Sequence, residues 1–200
     1  MAKPLFIQVN LSQESMALVS SKMIQLGTRV PSFFLPEIVS GAKVGPNDLV
    51  GGKAFVLMFL SRHCPYVQHI VPGITALTKK YLDLGFRFAG ILSNDIVNYP
   101  DDHPDLMAAM AEELGWEFPF LFDQDQQLAK DCNATCTPDF FVYGKGSKLV
   151  YRGQLDESRP GNNALPTGKD IAQALDDILE GRFPDPSLQK PSIGCSIKWK

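Results

Sequence analysis

The sequence lacks long hydrophobic runs and an excess of charge of either sign. It contains no stretch of 18 apolar residues, which excludes a transmembrane helix, and the early apolar run Leu5–Ile7 is too short for a signal peptide. The net charge is only −3 and basic residues are not clustered, so nothing indicates attraction to nucleic acid or anionic lipid. We therefore expect a cytoplasmic protein with no nucleic-acid or membrane partner.

Motifs for bound cofactors and metals are also missing. The glycine-rich G-x-G-x-x-G turn that a flavin or nicotinamide site would need does not occur. The four cysteines, Cys64, Cys132, Cys136 and Cys195, lack the repeated close pairs that are typical of zinc sites. We expect neither a cofactor nor a metal. In a reducing compartment these cysteines are more consistent with reactive or inert thiols than with a disulfide framework.

Short apolar runs alternate with helical periodicity along the chain. The run 54–60 follows the breaker Gly51–Gly52, as expected of a strand that is buried on both faces. Apolar residues at three- and four-residue spacing then predict a helix from Pro65 to about Leu84, kinked at Pro72. The other predicted elements are strands 86–92, 118–122, 138–143 and 148–152 and helices 104–114, 124–131 and 167–179. This order predicts a single α/β domain.

The ends of the chain differ from its middle. An alternating pattern over Leu5–Leu11 predicts an opening strand, and glycines and prolines within 30–46 predict a small hairpin. Thr167, with Asp170 three residues later, is the predicted N-cap of the last helix. We divide the chain into an N-terminal extension (1–27), a domain (28–181) and a proline-rich tail (182–200).

Cys64 lies between the first buried strand and the first long helix. Pro65 is favoured at the first helical position, which makes Cys64 the N-cap residue, close to unpaired N–H groups and the positive end of the helix dipole. Both effects favour the thiolate and lower the pKa of the thiol, and Arg62 and His63 add positive charge. The sequence thus predicts a nucleophilic thiolate, with an ordinary buried cysteine as the alternative.

Several segments together carry a family resemblance. They are AFVLMFLSRHCPYV, ILSNDIVNYPDD, FPFLFDQDQQLAK, TCTPDFFVYG, YRGQLDESRPGNN and PSIGCSIKWK. They resemble the peroxiredoxin-like (redoxin) branch of the thioredoxin-fold superfamily. The resemblance implies a thioredoxin-like fold, with a central mixed sheet flanked by helices. It also implies a cis-proline loop, Thr137-Pro138, that faces the redox cysteine, so that Pro65, His63, Thr137 and Pro138 would line the substrate pocket.

The chain departs from this branch at Ser61. Members typically carry C-x-x-C here, and Ser61 replaces the first cysteine, which argues against dithiol exchange within the turn. The pattern of Ser61, Cys64 and Pro65 is instead similar to the Thr/Ser, peroxidatic Cys and Pro of peroxiredoxins. Leu57 stands where that family has a proline. The family's arginine has no match near Pro138, and the candidates to replace it are Arg62, Arg152 and Arg159.

Two cysteines are candidates for a resolving thiol. The resemblance places Cys136 close to Cys64, although a cysteine in such a loop is more often inert packing. Cys195 lies in a tail segment that could dock as a resolving thiol must, or simply pin the tail. Cys132 is predicted to be structural.

We therefore expect an antioxidant thiol oxidoreductase that reduces hydroperoxides through Cys64, assisted by Ser61, with a reductant such as thioredoxin or glutathione. One alternative is a thiol-disulfide reductase, and another is a non-catalytic redox sensor or partner-binding module. Trp199, between two lysines, predicts either docking of the tail on an apolar groove or a contact in a homodimer.

Overall fold

The computed structural model describes residues 18–200 and is built around a five-stranded mixed sheet. Its strands are β4 (Phe55–Phe59), β5 (Arg87–Leu92), β6 (Phe120–Phe122), β8 (Asp139–Tyr143) and β9 (Leu149–Gly153). They lie in the order β6-β5-β4-β8-β9. Strands β4, β5 and β6 are parallel, whereas β8 is antiparallel to both β4 and β9. All residues of β4 are buried, as its continuous apolar run predicted.

Helices cover both faces of this sheet, and side chains that alternate along β4 point into two separate cores. The helices are α1 (Pro46–Leu49), α2 (Pro65–Asp83), α3 (Pro104–Glu113), α4 (Gln127–Asp131) and α5 (Lys169–Leu179). Val56 and Met58 belong to the core formed with α2, α3 and α5, whereas Leu57 belongs to the core formed with α4. The predicted fold class, a thioredoxin-like α/β sheet flanked by helices, is confirmed.

Two smaller sheets complete the described chain. Strands β2 (Leu35–Pro36) and β3 (Lys43–Val44) form the predicted hairpin. Strands β1 (Leu18–Ser20), β7 (Cys136–Thr137) and β10 (Ile193–Ser196) form an antiparallel sheet in the order β1-β10-β7. The tail therefore contains a strand that the sequence did not predict, and it pairs with the loop that contains Pro138.

The structure differs from prediction at the last helix. Helix α5 begins at Lys169, and its N-cap is Gly168 in a left-handed conformation rather than Thr167. The N–H groups of Thr167 and Gly168 both donate to the Asp156 carboxylate. The Asp156 side chain, which is distant in sequence, thus binds the backbone at the start of α5, where we predicted a local capping box. Helix α2 runs unbroken through Pro72, and the predicted strand 5–11 lies outside the described residues. The division into extension, domain and tail stays a prediction.

Candidate active site

Cys64 lies where the sequence predicted, at the turn between β4 and α2. It is the N-cap residue of α2, with Pro65 as the first helical residue. Its side chain does not cap the helix and points towards the Pro138 loop, where its sulfur lies 3.2 Å from the Thr137 carbonyl oxygen. The Thr137–Pro138 peptide bond is cis, as the resemblance implied. Thr137, one of the predicted pocket residues, thus lies against the thiol, and Pro138 follows it in the loop.

The second thiol at the site is that of Cys195. Strand β10 lies antiparallel to β7 and places Cys195 opposite Thr137. The sulfur atoms of Cys64 and Cys195 are 2.8 Å apart, which is hydrogen-bond contact rather than the roughly 2.05 Å of a disulfide bond. Both side chains are buried, with exposed fractions of 0% for Cys64 and 2% for Cys195. The site is a buried dithiol whose members are 131 residues apart in sequence.

Gly194 permits this close approach of the two strands. A Cβ atom at this position would lie 2.0 Å from the Thr137 carbonyl oxygen and 3.0 Å from Cδ of Pro138. A larger residue would therefore push β10 away from β7. The close contact between the strands therefore explains why glycine stands directly before Cys195.

The two thiols differ strongly in acidity. Burial opposes ionisation of Cys64, but hydrogen bonding from the Cys195 thiol is the largest effect that outweighs it and lowers the pKa of Cys64 to about 6. The pKa of Cys195 is raised, first by its hydrogen bond to Cys64 and then by burial. At neutral pH the arrangement therefore favours a Cys64 thiolate beside a protonated Cys195. A reactive pair needs these two protonation states, because the nucleophile must be a thiolate while the second cysteine stays a thiol.

The Asp102 carboxylate is the centre of a polar cluster on the turn before Cys64. It accepts hydrogen bonds from the Ser61 hydroxyl at 3.0 Å, from Nδ2 of Asn94 at 2.6 Å and from the backbone N–H of His63 at 3.2 Å. Nδ1 of His63 lies 2.7 Å from the carboxylate. The hydrogen bond to Asp102 is the main cause that raises the pKa of His63, and the charge of Cys64 adds to it. Burial opposes the charge on Asp102, but His63 and Asn94 outweigh it and lower the Asp102 pKa.

This cluster changes how Ser61 and His63 are interpreted. The Ser61 hydroxyl donates to Asp102, so its described hydrogen bonds serve the turn rather than the Cys64 sulfur. Asp102 was missed in the sequence because it lies in a polar loop, in a short 3-10 turn directly before α3. Its buried carboxylate has no local pattern that could have revealed it.

The other cysteines are poor nucleophiles. Cys136 lies on β7, but the nearest recorded partners of its sulfur are carbonyl oxygens of Pro138 and Ser192, at 3.8 and 4.0 Å. Burial, followed by the charge of Asp139, raises its pKa. Burial raises the pKa of Cys132 to about 12. Of the two candidate resolving thiols, the structure brings Cys195 to Cys64.

Two of the three candidate arginines are held by protein groups. Arg152 is fully buried and forms an ion pair with Asp139 at 2.9 Å. Arg159 lines a small cleft with Tyr66, Pro138 and Ile193. Its terminal nitrogens donate to the side chain of Gln154 and to backbone carbonyls, while its buried Nε makes no hydrogen bond within the described chain. The buried Nε of Arg152 is unpaired in the same way, so what distinguishes Arg159 is its place in the cleft with Pro138.

We also searched the described residues for metal sites and membrane-spanning helices. Residues 18–200 contain no cluster of three or more His, Cys, Asp or Glu side chains suited to a metal ion. Within the same residues, no helix has both the length and the apolar character that spanning a membrane requires.

Comparison with known proteins assigns the family. The redoxin family model matches residues 25–172, about three quarters of the chain. The chain belongs to the redoxin family. An uncharacterized conserved protein from Geobacillus kaustophilus is similar to this redoxin, with 47% identity, a TM-score of 0.89 and coverage of 93% of this chain and 98% of that one. The predicted membership of the redoxin branch is thereby confirmed.

More distant relatives are consistent with this assignment. The thioredoxin domain of a thiol-disulfide oxidoreductase from Bacteroides vulgatus shares the fold, with 18% identity, a TM-score of 0.56 and coverage of 75% of this redoxin and 97% of that chain. The protein SUPPRESSOR OF QUENCHING 1 of Arabidopsis thaliana is 26% identical over 131 residues, which cover 63% of this redoxin but only 12% of that protein. Membership of the redoxin family supports thiol-dependent redox activity for this chain.

Proposed function

We propose that this redoxin reduces hydroperoxides, with Cys64 as the reactive thiolate and Cys195 as the resolving thiol. The observation that carries the proposal is the 2.8 Å separation of the two sulfur atoms, one of which has a pKa of about 6. Ser61 leaves the turn without a second cysteine, and the tail supplies one in its place.

The reaction proceeds in three balanced steps. The Cys64 thiolate attacks one oxygen of the hydroperoxide, the O–O bond breaks, and the leaving alkoxide takes up a proton to depart as an alcohol. The resulting Cys64 sulfenic acid condenses with the Cys195 thiol, which forms the disulfide and releases water. A thiol reductant of the thioredoxin or glutathione type then reduces the disulfide and is itself oxidised.

Burial of the thiol favours a small oxidant over a protein disulfide. Cys64 is 0% exposed, so a folded protein cannot bring a disulfide to it without displacing the tail. A hydroperoxide is much smaller than a protein, and in the proposed reaction it approaches along the cleft beside Pro138. That cleft has to widen for it, because its cavity volume of about 10 Å³ holds roughly one water molecule. The unpaired Nε of Arg159 in that cleft is a donor that could polarise the peroxide oxygen.

A second candidate function is thiol-disulfide exchange through the same pair of cysteines. It is favoured by the short sulfur-sulfur distance, which suits any reaction that ends in a Cys64–Cys195 disulfide. The two activities separate in assay, because only the second predicts reduction of insulin disulfides. If the protein reduces neither hydroperoxides nor insulin disulfides, the alternative of a non-catalytic redox sensor is favoured.

The decisive experiment follows single-turnover oxidation by hydrogen peroxide. Reduced protein is mixed with one equivalent of peroxide, alkylated after set times and analysed by intact and peptide mass. The wild type is expected to form a Cys64–Cys195 disulfide. The Cys195→Ser variant should accumulate Cys64 sulfenic acid, and the matched control Cys136→Ser should behave like the wild type. Full peroxide turnover by a Cys64→Ser variant would refute the proposal.

The role of Arg159 is tested in the same assay. Arg159→Lys keeps the charge but loses the Nε donor, and it should slow the oxidation of Cys64 at least about tenfold. Arg62→Lys is the control, since no contact of the Arg62 guanidinium with the thiol pair is seen. Equal rates for all three proteins would remove Arg159 from the mechanism.

A further inference from the structure

The tail that carries Cys195 is tied to the domain at Lys198, three residues further on. The backbone N–H of Lys198 donates to Oδ1 of Asn94 at 2.9 Å. Its carbonyl oxygen accepts from the backbone N–H of Asp95 and from Nε2 of Gln126, both at 2.8 Å. These contacts fix the chain just beyond β10.

The Asn94 side chain links the hydrogen bonds at Lys198 to the turn that contains Cys64. Its Nδ2 donates to Asp102 at 2.6 Å, and the same Asp102 carboxylate binds Ser61 and His63. The amide therefore uses its oxygen for the tail and its nitrogen for the turn, and the side chain is buried. Among the described contacts, Asn94 is the side chain that joins the Asp102 cluster to the backbone of the tail.

We propose that Asn94 is a positioning residue that sets the geometry in which the Cys64–Cys195 disulfide closes. The inference rests on the proposed function. Closing the disulfide needs the Cys195 thiol aligned with the sulfenic sulfur, and a displacement of about 1 Å can cost a factor of about 100 in rate. The first step, attack of Cys64 on peroxide, does not use Cys195 as a reactant, although the Cys195 thiol favours the Cys64 thiolate. Once that thiol has been removed by mutation, we expect Asn94 to have little effect on the first step.

The test uses two variants of Asn94 and one control. Asn94→Ala removes both hydrogen bonds. Asn94→Asp keeps an acceptor for the Lys198 N–H but sets a second carboxylate against Asp102. The matched control is Asn98→Ala. Asn98 lies in the same loop, and within residues 18–200 its amide donates to the Asp95 side chain and makes no hydrogen bond to the tail.

Disulfide closure is measured in a single turnover with hydrogen peroxide. Both Asn94 variants should close the disulfide at least about tenfold more slowly than the wild type, and Asn98→Ala at the wild-type rate. The deficit of Asn94→Asp should shrink relative to wild type as the pH falls from 7 to 5, because protonation of one carboxyl relieves the repulsion. A merely structural defect gives no such pH profile. A wild-type closure rate in both variants would overturn the proposal.

Two backgrounds separate this inference from the proposed function. In Cys195→Ser, adding Asn94→Ala should leave the rate of Cys64 oxidation within twofold, and an equal slowing of that step would overturn the positioning role. In Cys64→Ser, adding Asn94→Ala should raise the rate at which iodoacetamide alkylates Cys195, and an unchanged rate would show that Asn94 does not hold the tail. A wild type that forms no disulfide would count against the proposed function, while the alkylation result would still test Asn94.

Discussion

Gly194→Ala tests how the fold brings the two thiols together. The added Cβ atom would lie 2.0 Å from the Thr137 carbonyl oxygen, and real Cβ atoms do not approach closer than 3.0 Å. Because the obstacle is backbone on the neighbouring strand, β10 must move away from β7 by at least 1.0 Å. Cys195, the next residue, moves with it.

The substitution is expected to affect both stability and chemistry. Overpacking of this kind costs about 1–3 kcal/mol of stability. A shift of about 1 Å in the reacting sulfur slows closure of the disulfide by a factor of about 100, which is about 2.7 kcal/mol in activation free energy. Sulfenic acid on Cys64 should therefore persist long enough to be trapped with dimedone, as is expected of Cys195→Ser.

The assay compares closure of the disulfide and thermal unfolding of the reduced protein in parallel. The matched control is Gly115→Ala, which strains a left-handed glycine but meets no atom within 4 Å and lies after α3. It should lose a similar amount of stability and close the disulfide at the wild-type rate. Closure by Gly194→Ala within threefold of the wild type would refute the claim that the contact between β10 and β7 sets the sulfur geometry.

Three further predictions follow from the same residues. The alkylation rate of Cys64 should rise with pH through about 6 and then level off. In Cys195→Ala that midpoint should move up, since the hydrogen bond that stabilises the thiolate is lost while burial remains. Asp139→Asn leaves Arg152 buried without its partner and should destabilise the protein by about 3–5 kcal/mol in urea unfolding, whereas Glu157→Gln, at an exposed ion pair, should change little. Oxidation to the Cys64–Cys195 disulfide closes a loop spanning 131 residues and should stabilise the protein by about 2–5 kcal/mol, a gain that is absent in Cys195→Ser.

Local patterns were sufficient to predict most of the scaffold. The strand at 54–60, the helix that starts at Pro65 and the position of Cys64 between them follow from periodicity and proline, which act over a few residues. The N-cap at Thr167 was wrong because Asp156, which is distant in sequence, satisfies the backbone there. Local sequence patterns cannot predict a hydrogen-bond partner that is distant in sequence.

The candidate site was only half predictable for a related reason. Cys64 is indicated by its own neighbours in sequence, whereas Cys195 is brought to Cys64 by the pairing of β10 with β7, which joins distant parts of the chain. The sequence left Cys136 and Cys195 open as resolving thiols, and Cys136, two residues before Pro138, was the nearer of them to the loop. Alternation along the strand decides between them, because Thr137 faces Cys195 while Cys136 pairs with Ser196.

In the proposed mechanism the second thiol lies on the tail and not in the turn, which changes what fixes the distance between the two sulfur atoms. In a C-x-x-C turn, one helix end fixes both sulfurs, so their separation depends little on the rest of the chain. Here the separation depends on β10, on Gly194 and on the anchoring of Lys198 by Asn94 and Gln126. In the proposed mechanism, loosening any of these contacts moves Cys195 away from Cys64. Closure of the disulfide is then slowed, and the pKa of Cys64 rises because its thiolate loses a hydrogen bond. The tail would therefore control both the closure of the disulfide and the acidity of the thiol in the turn.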